Sequence, residues 1–257
     1  MENLTDKLNF KRSTMKANLN AILFSLAIVI TAFLLSHAVM NRNKVAGDIS
    51  VTGLGEKNFV SDLIVWNGNF SRESIDLKQA YADLENDKSK ISEYLKQNGI
   101  NSKEIVFSAV NTRNNSKMKY STEGKIVGEE FTGYTLSQSI QITSKEVEKV
   151  EDLSRRITEL LNKGIKFLSE APRYYYTKLA ELKIELVSKA TEDAKLRTEK
   201  ISEKSGGKID KLISAQMGII QITGQNSNED YSYGGTFNTT SKEKTASITM
   251  KLTYRLK

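Results

Sequence analysis

The sequence predicts an α+β fold, with antiparallel or mixed sheets packed against long amphipathic helices, carried behind one N-terminal transmembrane helix. Three observations predict it. Residues 21–40 read AILFSLAIVITAFLLSHAVM, the only long uncharged run in the chain, and about 20 mostly apolar residues match a hydrocarbon core of roughly 30 Å. Beyond that run, stretches that alternate apolar and polar residues take turns with stretches that repeat apolar residues every three or four positions. Finally, the order strand, strand, helix, strand is written once and partly written again: Gln97-Asn98-Gly99-Ile100 and Asn162-Lys163-Gly164-Ile165 each close an amphipathic helix and open a strand. Such repetition suits helices lying on one face of a sheet.

The chain therefore divides into a cytoplasmic segment (1–20), a membrane span (21–40), a tether (41–48) and an outward domain (49–257). Lys7, Lys11, Arg12 and Lys16 precede the span, as expected of a basic segment kept in the cytoplasm while the rest crosses. Ser36 and Ala38 have the spacing of a signal-peptidase site, so a cleaved signal is the rival reading and places the mature N-terminus at Val39. A long apolar run, the residues that precede it, and Arg42 and Lys44 just after it favour retention. The expected location is the inner membrane, single-pass, with the C-terminal domain in the periplasm.

In the outward domain, residues 49–54 read as a short strand turning at Gly55, and residues 59–71 as a longer one with Ile64, Trp66, Gly68 and Phe70 on one side. A helix over 74–98 places Leu77, Tyr81, Leu84, Ile91 and Leu95 on one face, with Ser71 or Ser74 as cap and Gly99 as terminator. Residues 104–113 read as a strand, 114–124 as a polar loop, and 125–142 as a long strand. Thr143 and Glu146 have the spacing of a capping box for a helix whose apolar face carries Val147, Val150, Leu153, Ile157, Leu160 and Leu161. A brief strand over 165–168 and Pro172 lead to the longest helix, 176–203, striped by Leu179, Leu182, Leu186, Ala190, Ala194 and Ile201. After Gly206-Gly207, a strand over 211–223, a polar loop over 225–244 and a last strand over 246–256 complete the chain.

Composition removes several chemistries. There is no cysteine, hence no disulfide, thiolate nucleophile or Cys-based zinc site. The single histidine, His37, lies inside the apolar run, so the outward domain has neither a Ser-His-Asp relay nor a histidine-ligated metal. The net charge of +7 divides into +3 up to Asp48 and +4 beyond it, and lysines alternate with glutamates along the later helices. That is a solvated face and not the clustered charge that binds nucleic acid. No cofactor and no catalytic residue is expected. The residues proposed to hold a small ligand are aromatic: Trp66 and the run Tyr174, Tyr175 and Tyr176, although packing competes for all of them. Asp62, Glu129 and Glu130 near strand ends are the carboxylates that a hydrolase could use.

In order and spacing, several motifs resemble the SIMPL (DUF541) family of bacterial exported and cell-envelope proteins. They are Val51-Thr52-Gly53-Leu54-Gly55, Asp62, Gly99-Ile100 with Glu104-Ile105, and Gly133-Tyr134 with Gln138 and Ile140. Ala190 and Ala194, and Gly206-Gly207-Lys208-Ile209, continue the match. Ser61 stands where the family often has proline, and the late helix is sparse in alanine. The resemblance implies an α+β domain outside the cytoplasm, an inclination to form homo-oligomers and a part in stress tolerance. It brings no catalytic residues. The expected function is a membrane-anchored binding or self-assembling module that is not an enzyme, with the bilayer and further copies of the chain as partners.

Overall fold

The computed structural model describes residues 22–40 and 47–257. The predicted basic segment 1–20, Ala21 and residues 41–46 of the tether lie outside them. In chain order, helix α1 (Ile22–Met40) precedes strands β1 (Asp48–Val60) and β2 (Leu63–Ser74), helix α2 (Leu77–Gln97), and strands β3 (Ile105–Phe107), β4 (Asn111–Tyr120) and β5 (Ile126–Ser144). Helix α3 (Val147–Arg156), continued by a tighter 3-10 segment (Ile157–Lys163), leads to β6 (Phe167–Ser169) and β7 (Arg173–Tyr175). Helix α4 (Leu179–Ser205) and strands β8 (Ile209–Met217), β9 (Gln221–Gly224) and β10 (Glu243–Leu256) end the chain.

Helix α1 is long and apolar enough to cross a membrane, with a mean hydropathy of 2.4 over its best window, and none of that window is covered by the rest of the protein. The strands form two antiparallel sheets, so the α+β class holds. In the first, β10 is central, with β1 along one side and β8 and β9 along the other. In the second, β2 and β5 are central; β3 and β4 lie along the far side of β5, and β6 and β7 along the far side of β2.

Each sheet has its own helical cover and core. Helix α4 lies on the first sheet, burying Leu182, Leu186, Ala190 and Ala194 against Phe59, Ile222, Ile248, Met250 and Leu252. Helices α2 and α3 lie on the second, where Ile64, Trp66, Phe70, Leu84, Ile91, Leu95, Leu153 and Ile157 are all within 1% of complete burial. The predicted face of β2 is the buried one, as its period of two requires.

The first strand departs from expectation. Gly55 is no turn: β1 runs on to Val60 and reverses at Ser61-Asp62 into β2. A Cβ on Gly53 would stand 2.2 Å from the Ala190 carbonyl oxygen, and one on Gly55 2.1 Å from that of Leu186. The glycines let the backbone of α4 sit directly on the strand. Beside them, the Leu54 amide on the free edge of β1 donates to Asp193 Oδ2 of α4 at 2.8 Å, which occupies a strand edge that would otherwise be open.

Other boundaries move for local reasons. Helix α2 is capped by Asp76, whose carboxylate accepts from the Gln79 amide, so Leu77 and Tyr81 in its first turns stay exposed. Helix α3 lacks the predicted capping box; Ser144 instead accepts from the Glu146 amide and donates to Glu104. The predicted strand over 211–223 is two strands, β8 and β9, broken at Gly218. The predicted loop over 114–124 is largely strand: β4 and the first part of β5 form a two-stranded ribbon that continues past Ser74, where β2 stops.

Candidate functional site

The four aromatics singled out from sequence are parts of the frame. Trp66 is 1% exposed; its indole N–H donates to Ser169 Oγ, and its ring packs on Phe167. Tyr174 is buried and donates its hydroxyl to Glu151 at 3.1 Å, and burial pushes that hydroxyl above its ordinary pKa. Tyr175 pairs with Leu63 in the sheet and is half-buried, while Tyr176 lies against the Phe59 ring with centroids 4.7 Å apart. Consecutive tyrosines alternate sides in an extended segment, so the run closes a junction and presents no single aromatic platform.

That junction ties the two sheets together. Lys242, just before β10, reaches Glu148 at 2.9 Å and Glu151 at 2.8 Å on α3. The hydrogen bond from Lys242 holds the Glu151 carboxyl below its usual range. The Tyr174 amide donates to the Thr239 carbonyl. Asp62 belongs to the same joint: one carboxylate oxygen accepts from the Thr177 amide and the other from the Thr177 hydroxyl, both at 2.7 Å. The other two candidate carboxylates lie on the exposed ribbon, Glu129 accepting from Ser116 and Glu130 facing Lys119. Adjacent strand positions point to opposite faces, so this neighbouring pair does not converge on one substrate.

A cleft lies on the other face of the first sheet. Leu54 alternates with Gly53 and Gly55, so its side chain faces away from α4, and Thr249 pairs with it on β10. Over these strands the 225–242 segment folds back and borders an open cleft of about 270 Å³ with Leu54, Ile219, Gln221, Tyr231, Tyr233 and Thr249 on its walls. Tyr231 and Tyr233 are exposed, and the Tyr231 hydroxyl stands 3.3 Å from Ser247 Oγ. A volume slightly below the roughly 300 Å³ of the smallest usual ligand pockets accommodates one ring or one side chain.

A polar network pins this segment, which sequence reading treats simply as a loop. Gln221 accepts from the amides of Ser232 and Thr236 and donates to the Ser232 carbonyl. Glu229 accepts from the Gly224 amide and from the Asn238 side chain. Beneath them Lys244, 2% exposed, donates to the Asn238 carbonyl at 2.7 Å and to its side-chain oxygen at 3.2 Å. Burial pushes the Lys244 ammonium down to about 8, against the attraction of Glu229. Sequence reasoning missed the two cleft tyrosines; the available signal was the Asp230-Tyr231-Ser232-Tyr233-Gly234-Gly235 run inside an otherwise polar stretch.

The ribbon is the second exposed feature. Met118, Tyr120, Ile126, Val127 and Phe131 are each about half exposed or more, and Ser116, Met118 and Tyr120 share a face with Phe131 and Glu129 by register.

A search of curated proteins found no match to the chain. The family model for SIMPL, described as a protein of unknown function (DUF541), matches residues 49–254, which takes in both sheets, all three covering helices, the cleft and the ribbon. The chain belongs to the SIMPL (DUF541) family.

Proposed function

We propose that this protein is a membrane-tethered, extracytoplasmic module of the cell envelope that acts by binding, and by assembling with copies of itself, without catalysing a reaction. The observation that carries the reading is the contrast between well-filled cores and a two-stranded ribbon that holds Met118, Tyr120, Ile126, Val127 and Phe131 in solvent, behind an apolar helix long enough to span a bilayer. Large apolar side chains gathered in solvent on one ribbon are a basis for an interaction site. The basic residues ahead of the helix support an outward-facing domain, and the family resemblance supports an envelope location and a part in stress tolerance.

Mass photometry of the full chain in detergent tests the assembly. Multimers are expected, and Val127→Asp with Phe131→Ser is expected to convert them to monomers; a wild-type chain that stays monomeric at high concentration removes self-association. For the outward placement, protease added to intact spheroplasts is expected to digest the domain, and protection until lysis overturns it. A second reading, a scaffold for a small ring-bearing ligand, is favoured by the cleft beneath Tyr231 and Tyr233. Loss of binding in Tyr233→Ala tests it for any candidate ligand, and equal binding by the variant counts against it.

A further inference from the structure

The topology gathers residues from four distant parts of the sequence at one end of the first sheet, and it is the end where the chain emerges from α1. Asp48, the first residue of β1, pairs with Arg255 near the end of β10. The Leu256 amide donates to the Gly47 carbonyl, and the Lys257 amide to the Lys208 carbonyl. A Cβ on Gly207, just past α4, would lie 3.8 Å from Leu256 and 3.6 Å from Ser202. The last turn of α4, the Gly206-Gly207 link, the start of β8 and the C-terminus thus form one small surface around the domain's point of attachment.

That surface is basic once its ion pairs are counted out. Asp48 is matched by Arg255 at 3.8 Å, Asp210 by Lys257 at 3.2 Å and Glu203 by Lys200 at 3.3 Å. Lys204, Lys208 and Lys211 are exposed and make no ion pair among the described residues. Between them stand exposed aliphatic side chains: Ile201 at the end of α4, and Leu212 and Ile213 on β8, 49%, 50% and 42% exposed. Unpaired lysines set among aliphatic groups are what a membrane interface accepts, with apolar carbons entering at headgroup depth and ammonium groups meeting phosphates.

The tether sets the distance. From Met40 to Asp48 the chain reaches at most about 29 Å when fully extended, so this end of the domain stays beside the bilayer that holds α1. Charge attraction acts over roughly 8–10 Å at physiological salt, and any shortening of the tether from full extension brings the lysines toward that range. We infer that the Lys204-Lys208-Lys211 end of the first sheet, with Ile201, Leu212 and Ile213, docks on the anionic headgroups of the membrane in which α1 is embedded. The inference rests on the anchored reading above. It adds a second membrane contact that fixes how the domain stands: the cleft, six residues further along β1, is then carried about 20 Å from the headgroups.

The absence of cysteine makes a direct test simple. The full chain carrying Leu212→Cys, labelled with a polarity-sensitive fluorophore, is reconstituted into nanodiscs of neutral phosphatidylcholine or of phosphatidylcholine with phosphatidylglycerol. A blue shift is expected on the anionic bilayer, reversed by high salt and by Lys204→Glu, Lys208→Glu and Lys211→Glu together, while a label at Val127→Cys on the ribbon does not respond. A label at 212 that remains in water on both bilayers, or a shift indifferent to the charge reversal, overturns the docking. A chain recovered from cells that begins at Val39 removes the anchor and the docking with it. The two failures are therefore told apart by the N-terminus.

Discussion

The two sheets are covered by helices in opposite ways. On the second, α2 and α3 stand off the strands on large side chains, with Trp66, Phe70, Leu84 and Ile91 filling the gap. On the first, α4 settles backbone to backbone, with Gly53 and Gly55 below and Ala190 and Ala194 above. Large side chains leave a core some room to adjust when one group changes. Contact between main chains leaves none, because neither partner has a rotamer to move. The difference separates a tolerant half of the molecule from an intolerant one.

Breaking the tolerant half takes a charge. Arg72 forms two hydrogen bonds to Asp87, which is fully buried, at 2.5 and 2.7 Å, and a third to the Gly164 carbonyl. Arg72→Ala leaves that carboxylate buried and alone, and the expected loss is about 3–5 kcal/mol, read from urea unfolding of the full chain in detergent. In the other half a single methyl group suffices. Gly55→Ala places a carbon 2.1 Å from a helix carbonyl, and about 3 kcal/mol of destabilisation is expected. A drop under about 1 kcal/mol would mean that α4 can lift from the strand and that the contrast is not real.

Gly68 sharpens the comparison, because a Cβ there comes equally close, 2.1 Å, but to the Phe167 ring. A ring at the end of a side chain can swing aside, so Gly68→Ala is expected to cost only about 1 kcal/mol in the same assay. A test of a different kind concerns Lys244 and depends on pH. Its ammonium is held down to about 8 in the folded chain, against an ordinary 10.5. Between those values the unfolded chain binds more protons, so stability rises with pH across that window. Lys244→Met is expected to abolish the rise, and a variant whose stability climbs as the wild type's does shows that the rise has another source.

What the sequence disclosed follows the same division. The buried face of β2 and the closing glycines of the helices were legible because their causes lie within a few residues: period-two alternation, and positive φ at Gly99, Gly164 and Gly206. Gly55 was misread as a turn because the helix that needs it lies far along the chain. The ribbon was misread as a loop because both its faces meet water, which erases the alternation that signals a strand. Asp62 looked like a potential acid or base, yet its two oxygens serve Thr177. The fold spent the conspicuous aromatics on its joint and left the inconspicuous Tyr231 and Tyr233 at the cleft. Likewise Lys204, Lys208 and Lys211 are not legible as a basic cluster along the chain, because Glu203 and Asp210 stand among them and only the fold pairs those carboxylates with Lys200 and Lys257.

The carboxylate of Asp193 on the Leu54 amide has a consequence for crowding. Proteins confined to a lipid plane meet one another far more often than in free solution, and an unguarded sheet rim in such company invites endless stacking. At Leu54 the β1 rim has no free amide to offer an incoming strand, so pairing through this sheet favours the opposite rim, where β8 and β9 lie. Growth from both rims of this sheet at once, which is what builds a continuous stack, is disfavoured.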